Sequence, residues 1–216
     1  MKPILFNTDM VKAILDGRKT ATRRVIKPKY KPGEAGWNIV TNKHTGEFCY
    51  CEYYDEYEES TRRLNPPYFP GDTLYVRETW GRTFAGTVDH PEFVYRATDP
   101  EWGEHDSFVW HPSIHMPKEA ARIFLLVTDV RAERLQDITT EGAAAEGAET
   151  DDYLDMVEEA GVVGLPTYNL REYFGYHIWD RTLNSPDALE RYGWEANPWV
   201  WVIEFERCEK PDEKGA

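Results

Sequence analysis

Asp16-Gly17-Arg18-Lys19-Thr20-Ala21-Thr22-Arg23-Arg24 places one lysine, two threonine hydroxyls and three arginines within nine residues. The elements on either side of it set the fold. Upstream, Thr8 to Leu15 predicts a short helix, because Met10, Val11, Ile14 and Leu15 fall on one apolar side. Gly17 supplies the left-handed stop that such a helix end favours. Downstream, Lys19 to Ile26 predicts a strand rich in Thr and Val, closed by Pro28. A solvated basic strand is the plainer reading of these residues, since Lys and Arg snorkel at surfaces. A net charge of −14 makes a cationic cluster here less expected by chance, which sets a functional reading level with the plainer one.

The chain has 216 residues, enough for one domain with a buried core. Its 41% hydrophobic and 14% aromatic content indicates a folded protein. Eight Trp, 13 Tyr and 9 Phe exceed what a core of this size ordinarily uses, so some rings are candidates for a pocket wall. Three cysteines without a regular framework suit a reducing compartment. The first residues lack a signal-peptide pattern, and no run approaches the roughly 20 apolar residues of a membrane helix. A soluble, cytoplasmic protein that does not engage a membrane is expected. The balance of 39 Asp and Glu against 25 Lys and Arg opposes long, sequence-indifferent RNA binding, which depends on a basic face. A local basic pocket for one nucleotide or nucleoside survives, because charges more than ~8 Å away are screened at physiological salt.

Further along, Trp37 to Thr41 and Phe48 to Tyr54 predict a hairpin around the turn Lys43 to Gly46. His44, Cys49 and Cys51 make a poor zinc pattern, with alternate strand positions and no fourth ligand, so no metal is expected. Asp55 to Ser60 reads as a solvated acidic loop. After the turn Pro66 to Asp72, the strand Thr73 to Trp80 puts Glu78 in line with Leu74, Val76 and Trp80. A carboxylate on such a row needs a partner, either the basic motif or a plain buried salt bridge. Phe93 to Ala97 predicts a strand. The long loop Asp99 to Pro117 carries Trp102, Phe108, Trp110, His111 and His115, rings suited to stacking a base or to packing beneath the loop.

Ala121 to Val130 predicts a central strand that continues through Leu135. Thr139 or Thr140 caps a helix through Ala143, Ala144 and Ala145 to Glu146, with Gly147 as its stop. Asp151 to Ala160, Leu170 to Leu183 and Asp187 to Tyr192 predict helices. The aromatics Tyr173, Phe174, Tyr176 and Trp179 are positioned to cover one mouth of a barrel. In the last strand, Asn197 to Glu206, Trp199, Trp201, Ile203 and Phe205 alternate with Val200, Val202, Glu204 and Glu206.

The run Gly17 to Arg24 resembles the signature of ASCH domains, β-barrel relatives of PUA RNA-binding domains, whose motif is roughly Gly-x-Lys-x-x-Thr-x-Arg. Pro70 to Trp80, Ile123 to Gly147 and Trp199 to Glu206 follow in the order that family expects. Arg77-Glu78-Thr79-Trp80 and Ile114-His115-Met116-Pro117 resemble runs in the larger ASCH proteins of bacteria and prophages. The resemblance implies an α+β, mainly β, PUA-like barrel spanning residues 1–216 as a single domain. Peripheral helices and inserted loops would lie at about 28–66 and 150–197. It also implies an amidohydrolase acting on an acylated nucleoside such as N4-acetylcytidine, with Lys19, Thr22 and Glu146 as catalytic residues. Thr22 would be the nucleophile, Lys19 its base if its pKa were lowered, and Glu146 the group that positions the lysine or shuttles a proton. Arg24, Glu78, Trp80, Trp110 and His115 are candidates for holding the substrate. No cofactor is expected. In an unbroken strand residues 19 and 22 face opposite ways, so this chemistry requires a bulge or a lysine still in the turn. The alternative is a non-catalytic module that binds a modified nucleoside or short RNA through the same residues.

Overall fold

The computed structural model describes residues 1–27, 38–41, 48–51, 64–83, 92–105, 107–163 and 168–211. The turn 43–46, His44 and the acidic run 55–60 lie outside them. The first helix forms as its spacing predicts: α1 (Thr8–Leu15) buries Val11, Ala13 and Ile14. Asn7 caps it by accepting from Met10 N at 2.8 Å. Gly17 stops it at φ +77°, a value at which most side chains would be strained.

Five strands make a mixed sheet. β1 (Lys2–Leu5) runs parallel to β5 (Thr73–Arg77), and β5 is antiparallel to β8 (Phe124–Arg134). β8 pairs with β9 (Trp199–Cys208), and β9 with β2 (Ala21–Val25), both antiparallel. The order is β1-β5-β8-β9-β2. The predicted hairpin is present as β3 (Asn38–Thr41) against β4 (Phe48–Cys51), and β6 (Trp80–Arg82) pairs with β7 (Phe93–Tyr95). Among the described residues no ladder joins β1 to β2, so the sheet keeps two edges. A side chain spans the gap: Arg24 Nη2 donates to the Leu5 carbonyl at 2.7 Å.

Helical segments are at least as prominent as strands, so the chain is α+β rather than mainly β. The reason lies in segment 150–197, which holds α3 (Asp151–Val163), α4 (Leu170–Tyr173), a π-helical stretch Phe174–Trp179 and α5 (Pro186–Tyr192). Phe174 and Trp179 do not sit over a barrel mouth. They build a second core with Leu170, Trp194, Val200 and Val202, on the face of β9 opposite to Trp201, Ile203 and Phe205. The alternation read for β9 holds, but both of its faces are covered along Val200 to Ile203, where every residue is buried. This is the position in which a strand reads as a continuous apolar run. Among the described residues no helix is long and apolar enough to cross a membrane.

Candidate active site around Lys19 and Glu146

Lys19 lies in the link between α1 and β2, ahead of the strand. Its N–H donates back to Ala13 O at 2.9 Å, and Thr20 N donates to Ala145 O at 2.8 Å. Lys19 and Glu146 face each other as an isolated antiparallel bridge, and regular pairing of β2 begins only at Ala21. Lys19 is thus still in the turn, outside the strand alternation that would set residues 19 and 22 on opposite faces.

The partner arrives on α2 (Thr140–Ala145), capped by Thr139, whose hydroxyl accepts from Gly142 N at 3.0 Å. Glu146 is its C-cap residue, and Gly147 leaves the helix at φ +82°. Gly147 also allows a close approach, because a Cβ there would stand 3.0 Å from Ala13 Cβ and 3.4 Å from Lys19 Cβ. Small residues at the end of α2 therefore let Glu146 dock onto the turn that carries Lys19.

The Lys19 side chain is 0% exposed. Its Nζ donates to Glu146 Oε2 at 2.5 Å and to the Glu146 carbonyl at 3.0 Å, and stands 5.7 Å from the Phe6 ring centre. Burial pushes the Lys19 pKa below its ordinary 10.5, and the nearby Arg24 and Arg23 charges act in the same direction, while Glu146 pulls it back up. The second Glu146 oxygen, Oε1, accepts from Arg23 Nη1 at 3.3 Å. Arg23 turns its other edge to Glu133, donating from Nε at 3.0 Å and Nη2 at 2.7 Å.

Thr22 and Arg24 lie on the opposite face of β2 from Arg23, registered against Ile203 and Trp201. Thr22 is buried, 2% exposed. The Arg24 guanidinium lies 5.4 Å from the Phe6 ring centre. Burial lowers its pKa from the ordinary 12.5, and among the described residues no carboxylate reaches it at ion-pair distance. It forms one wall of a cavity of about 420 Å³ in the gap between the two sheet edges, with Ile4, Ile26, Leu64, Tyr68 and Trp201 around it. The Tyr68 hydroxyl donates to Pro3 O at 2.6 Å.

Lys19, Thr22, Arg24 and Glu146 are thus gathered about one turn and strand. The other four residues lie elsewhere. Glu78 is buried and gives its two oxygens to Arg122 Nε and Nη2, each at 3.0 Å, with the guanidinium 3.9 Å from the Tyr95 ring centre. Burial nonetheless holds the Glu78 pKa above its ordinary 4.5. Trp80 packs on Phe93 and His111, and Trp110 stands edge-on to Phe108 at 5.0 Å. His115 is exposed in a single turn, Ser113–His115. Among the described residues no hydrogen bond, ion pair or ring contact joins these four to the Lys19 group. Of the two readings of Glu78, the arrangement matches the buried salt bridge.

Arg23 in its bonded role, Glu133, Phe6 and Tyr68 were not predicted from the sequence. Glu133 sits near the end of an amphipathic strand and carries no local mark, while Phe6 is one ordinary apolar residue among many. Among the described residues no group of three or more His, Cys, Asp or Glu is arranged to hold a metal. No family model, no curated protein and no solved structure matches the chain.

Proposed function

We propose that this chain is an amidohydrolase of the ASCH type that removes an acyl group from a modified nucleoside such as N4-acetylcytidine. In this reading the five-stranded sheet is a PUA-like barrel left open between β1 and β2. The observation that carries it is a fully enclosed lysine amine sharing a carboxylate, just ahead of the strand that carries the buried Thr22. A buried amine whose pKa is lowered gives up its proton more readily than an exposed lysine, which a general base requires.

Lys19 Nζ takes the proton from Thr22 Oγ1 as the oxygen attacks the acyl carbonyl, forming a tetrahedral intermediate. The intermediate collapses as the ammonium returns the proton to the departing exocyclic amine. Water, deprotonated by the same lysine, then hydrolyses the threonine ester and releases the carboxylic acid. Glu146 holds the amine in line throughout. Arg24 offers the nucleobase carbonyl a charged donor, and Trp201 and Tyr68 give the ring an apolar wall.

One observation favours a second reading, a module that binds a modified nucleoside without turning it over. The cavity wall includes Arg24 and Trp201, and none of Lys19, Thr22 and Glu146. Incubation of the purified chain with N4-acetylcytidine separates the two: cytidine release by the parent, lost in folded Lys19→Ala and Thr22→Ala, supports the enzyme. Saturable binding of the nucleoside with no release would replace it with the module.

A further inference from the structure

Two cations share one carboxylate at the centre of the site. Glu146 meets Lys19 through Oε2 at 2.5 Å and Arg23 through Oε1 at 3.3 Å, and all three side chains are 4% exposed or less. Glu133, 18% exposed, grips the far edge of Arg23 at 2.7 Å and meets Arg131 Nε at 3.4 Å. Arg131 in turn reaches Asp129 and Glu204 at the surface. The fit around Arg23 is close: Nη1 also donates to Gly142 O at 3.4 Å, and a Cβ on Gly142 would stand 3.1 Å from Nη2.

We propose that Arg23 is a positioning residue for Lys19, acting through the shared Glu146 carboxylate, and that Glu133 sets how strongly it does so. The proposal rests on the amidohydrolase reading for the use made of the Lys19 proton, but the arrangement exists without turnover. With Lys19 protonated, the enclosed trio carries one excess positive charge. Release of that proton makes the trio neutral, which a dry site favours. Arg23 cannot be the group that yields, because a guanidinium keeps its proton in proteins. Arg24, from the other face of β2, adds a second repulsion. The remaining charges nearby are engaged elsewhere: Arg18 with Asp16 at 3.1 Å, and Glu204 with Arg131. Phe6 contributes an apolar wall and no charge.

Glu133 and Arg23 therefore act on Lys19 in opposite senses. Without Arg23, Glu146 belongs to Lys19 alone and the ammonium is held more firmly. Without the Glu133 charge, Arg23 leans on Glu146 and draws it away, so Lys19 gives up its proton more easily. Loosening of the structure by either change would instead admit water and carry Lys19 upward toward 10.5 in both variants.

The test is the titration of the Lys19 side chain in the full-length chain, followed by carbon-detected NMR at Cε and assigned with Lys19→Arg. Arg23→Gln is expected to move the midpoint up, and Glu133→Gln to move it down. Midpoints that both move up, or a Glu133→Gln midpoint that does not move, overturn the proposal. Should Arg23→Gln fail to fold, Glu133→Gln alone decides. In the deacetylation assay Arg23→Gln should lower kcat about tenfold at neutral pH with little change in KM. Opposed NMR shifts in a parent that releases no cytidine would retire the enzyme and leave the role of Arg23 standing. Turnover with both midpoints moving up would keep the enzyme and remove this inference.

Discussion

Two buried ion clusters lie among the described residues, and their charges are matched differently. At Glu78 one carboxylate meets one guanidinium edge to edge, and Arg122 is 28% exposed, so its charge also has a route to water. At Glu146 one carboxylate serves two cations, and Lys19 has no route to water. The first arrangement is a matched pair that fixes β5 near the Tyr95 hairpin. The second divides one carboxylate between two cations, and of those two its other carboxylate, Glu133, reaches only Arg23. Buried charge by itself therefore does not mark a site; under the proposed function it is the shared carboxylate at Lys19 that sets this cluster apart.

The contrast can be broken most severely at Lys19 and Thr22. Lys19→Ala and Thr22→Ala should each reduce N4-acetylcytidine turnover by at least about 100-fold, measured as cytidine release. Glu78→Gln should leave turnover per folded molecule within about twofold. Turnover that rises with pH through a midpoint below 10.5 would identify the Lys19 amine as the base. The sign for stability is the same: with a folded-state pKa below the unfolded value, the unfolded chain holds more protons in that window. Lys19 therefore makes the fold more stable as pH rises toward 10.5.

Stability sharpens the comparison next. Glu146→Gln should cost roughly 3–5 kcal/mol in denaturant unfolding near neutral pH, because it leaves a buried ammonium beside Arg23. Its deficit should shrink at higher pH, as Lys19 loses its proton. Glu78→Gln should cost only about 1–2 kcal/mol, since Arg122 can turn toward solvent. Equal costs would mean that the two clusters are the same kind of feature. Gly147→Ala, which forces a Cβ into a φ of +82° beside Ala13, should cost about 1–2 kcal/mol by thermal melting. The last effect is on binding: Arg24→Gln should weaken nucleoside affinity about tenfold, read from Trp fluorescence or calorimetry.

Much of the local structure was legible. The apolar spacing of Met10 to Leu15, the capping threonine at 139, the glycines at 17 and 147 and the alternation along Trp199 to Phe205 each specify an element from within a few residues. The meeting of Lys19 with Glu146 followed from a resemblance to a motif rather than from spacing. Trp80, Trp110 and His115 illustrate the limit. Rings in a loop read alike whether they stack on a ligand or on each other, and here Trp110 packs on Phe108 and Trp80 on Phe93 and His111.

The sequence by itself determined where α1 and α2 begin and stop, which strand faces are apolar, and that a cationic turn precedes β2, because caps, left-handed glycines and periodicity act over one or two turns of chain. Tertiary structure alone decided the rest. It brought Glu146 to Lys19 across 127 residues and Glu133 to Arg23 across 110. It left a cavity between the edge strands β1 and β2, and it laid the helices of 150–197 over the far face of β9. Those outcomes depend on the order of strands in the sheet and on how tightly small residues let segments approach. No residue carries that information in its own neighbourhood.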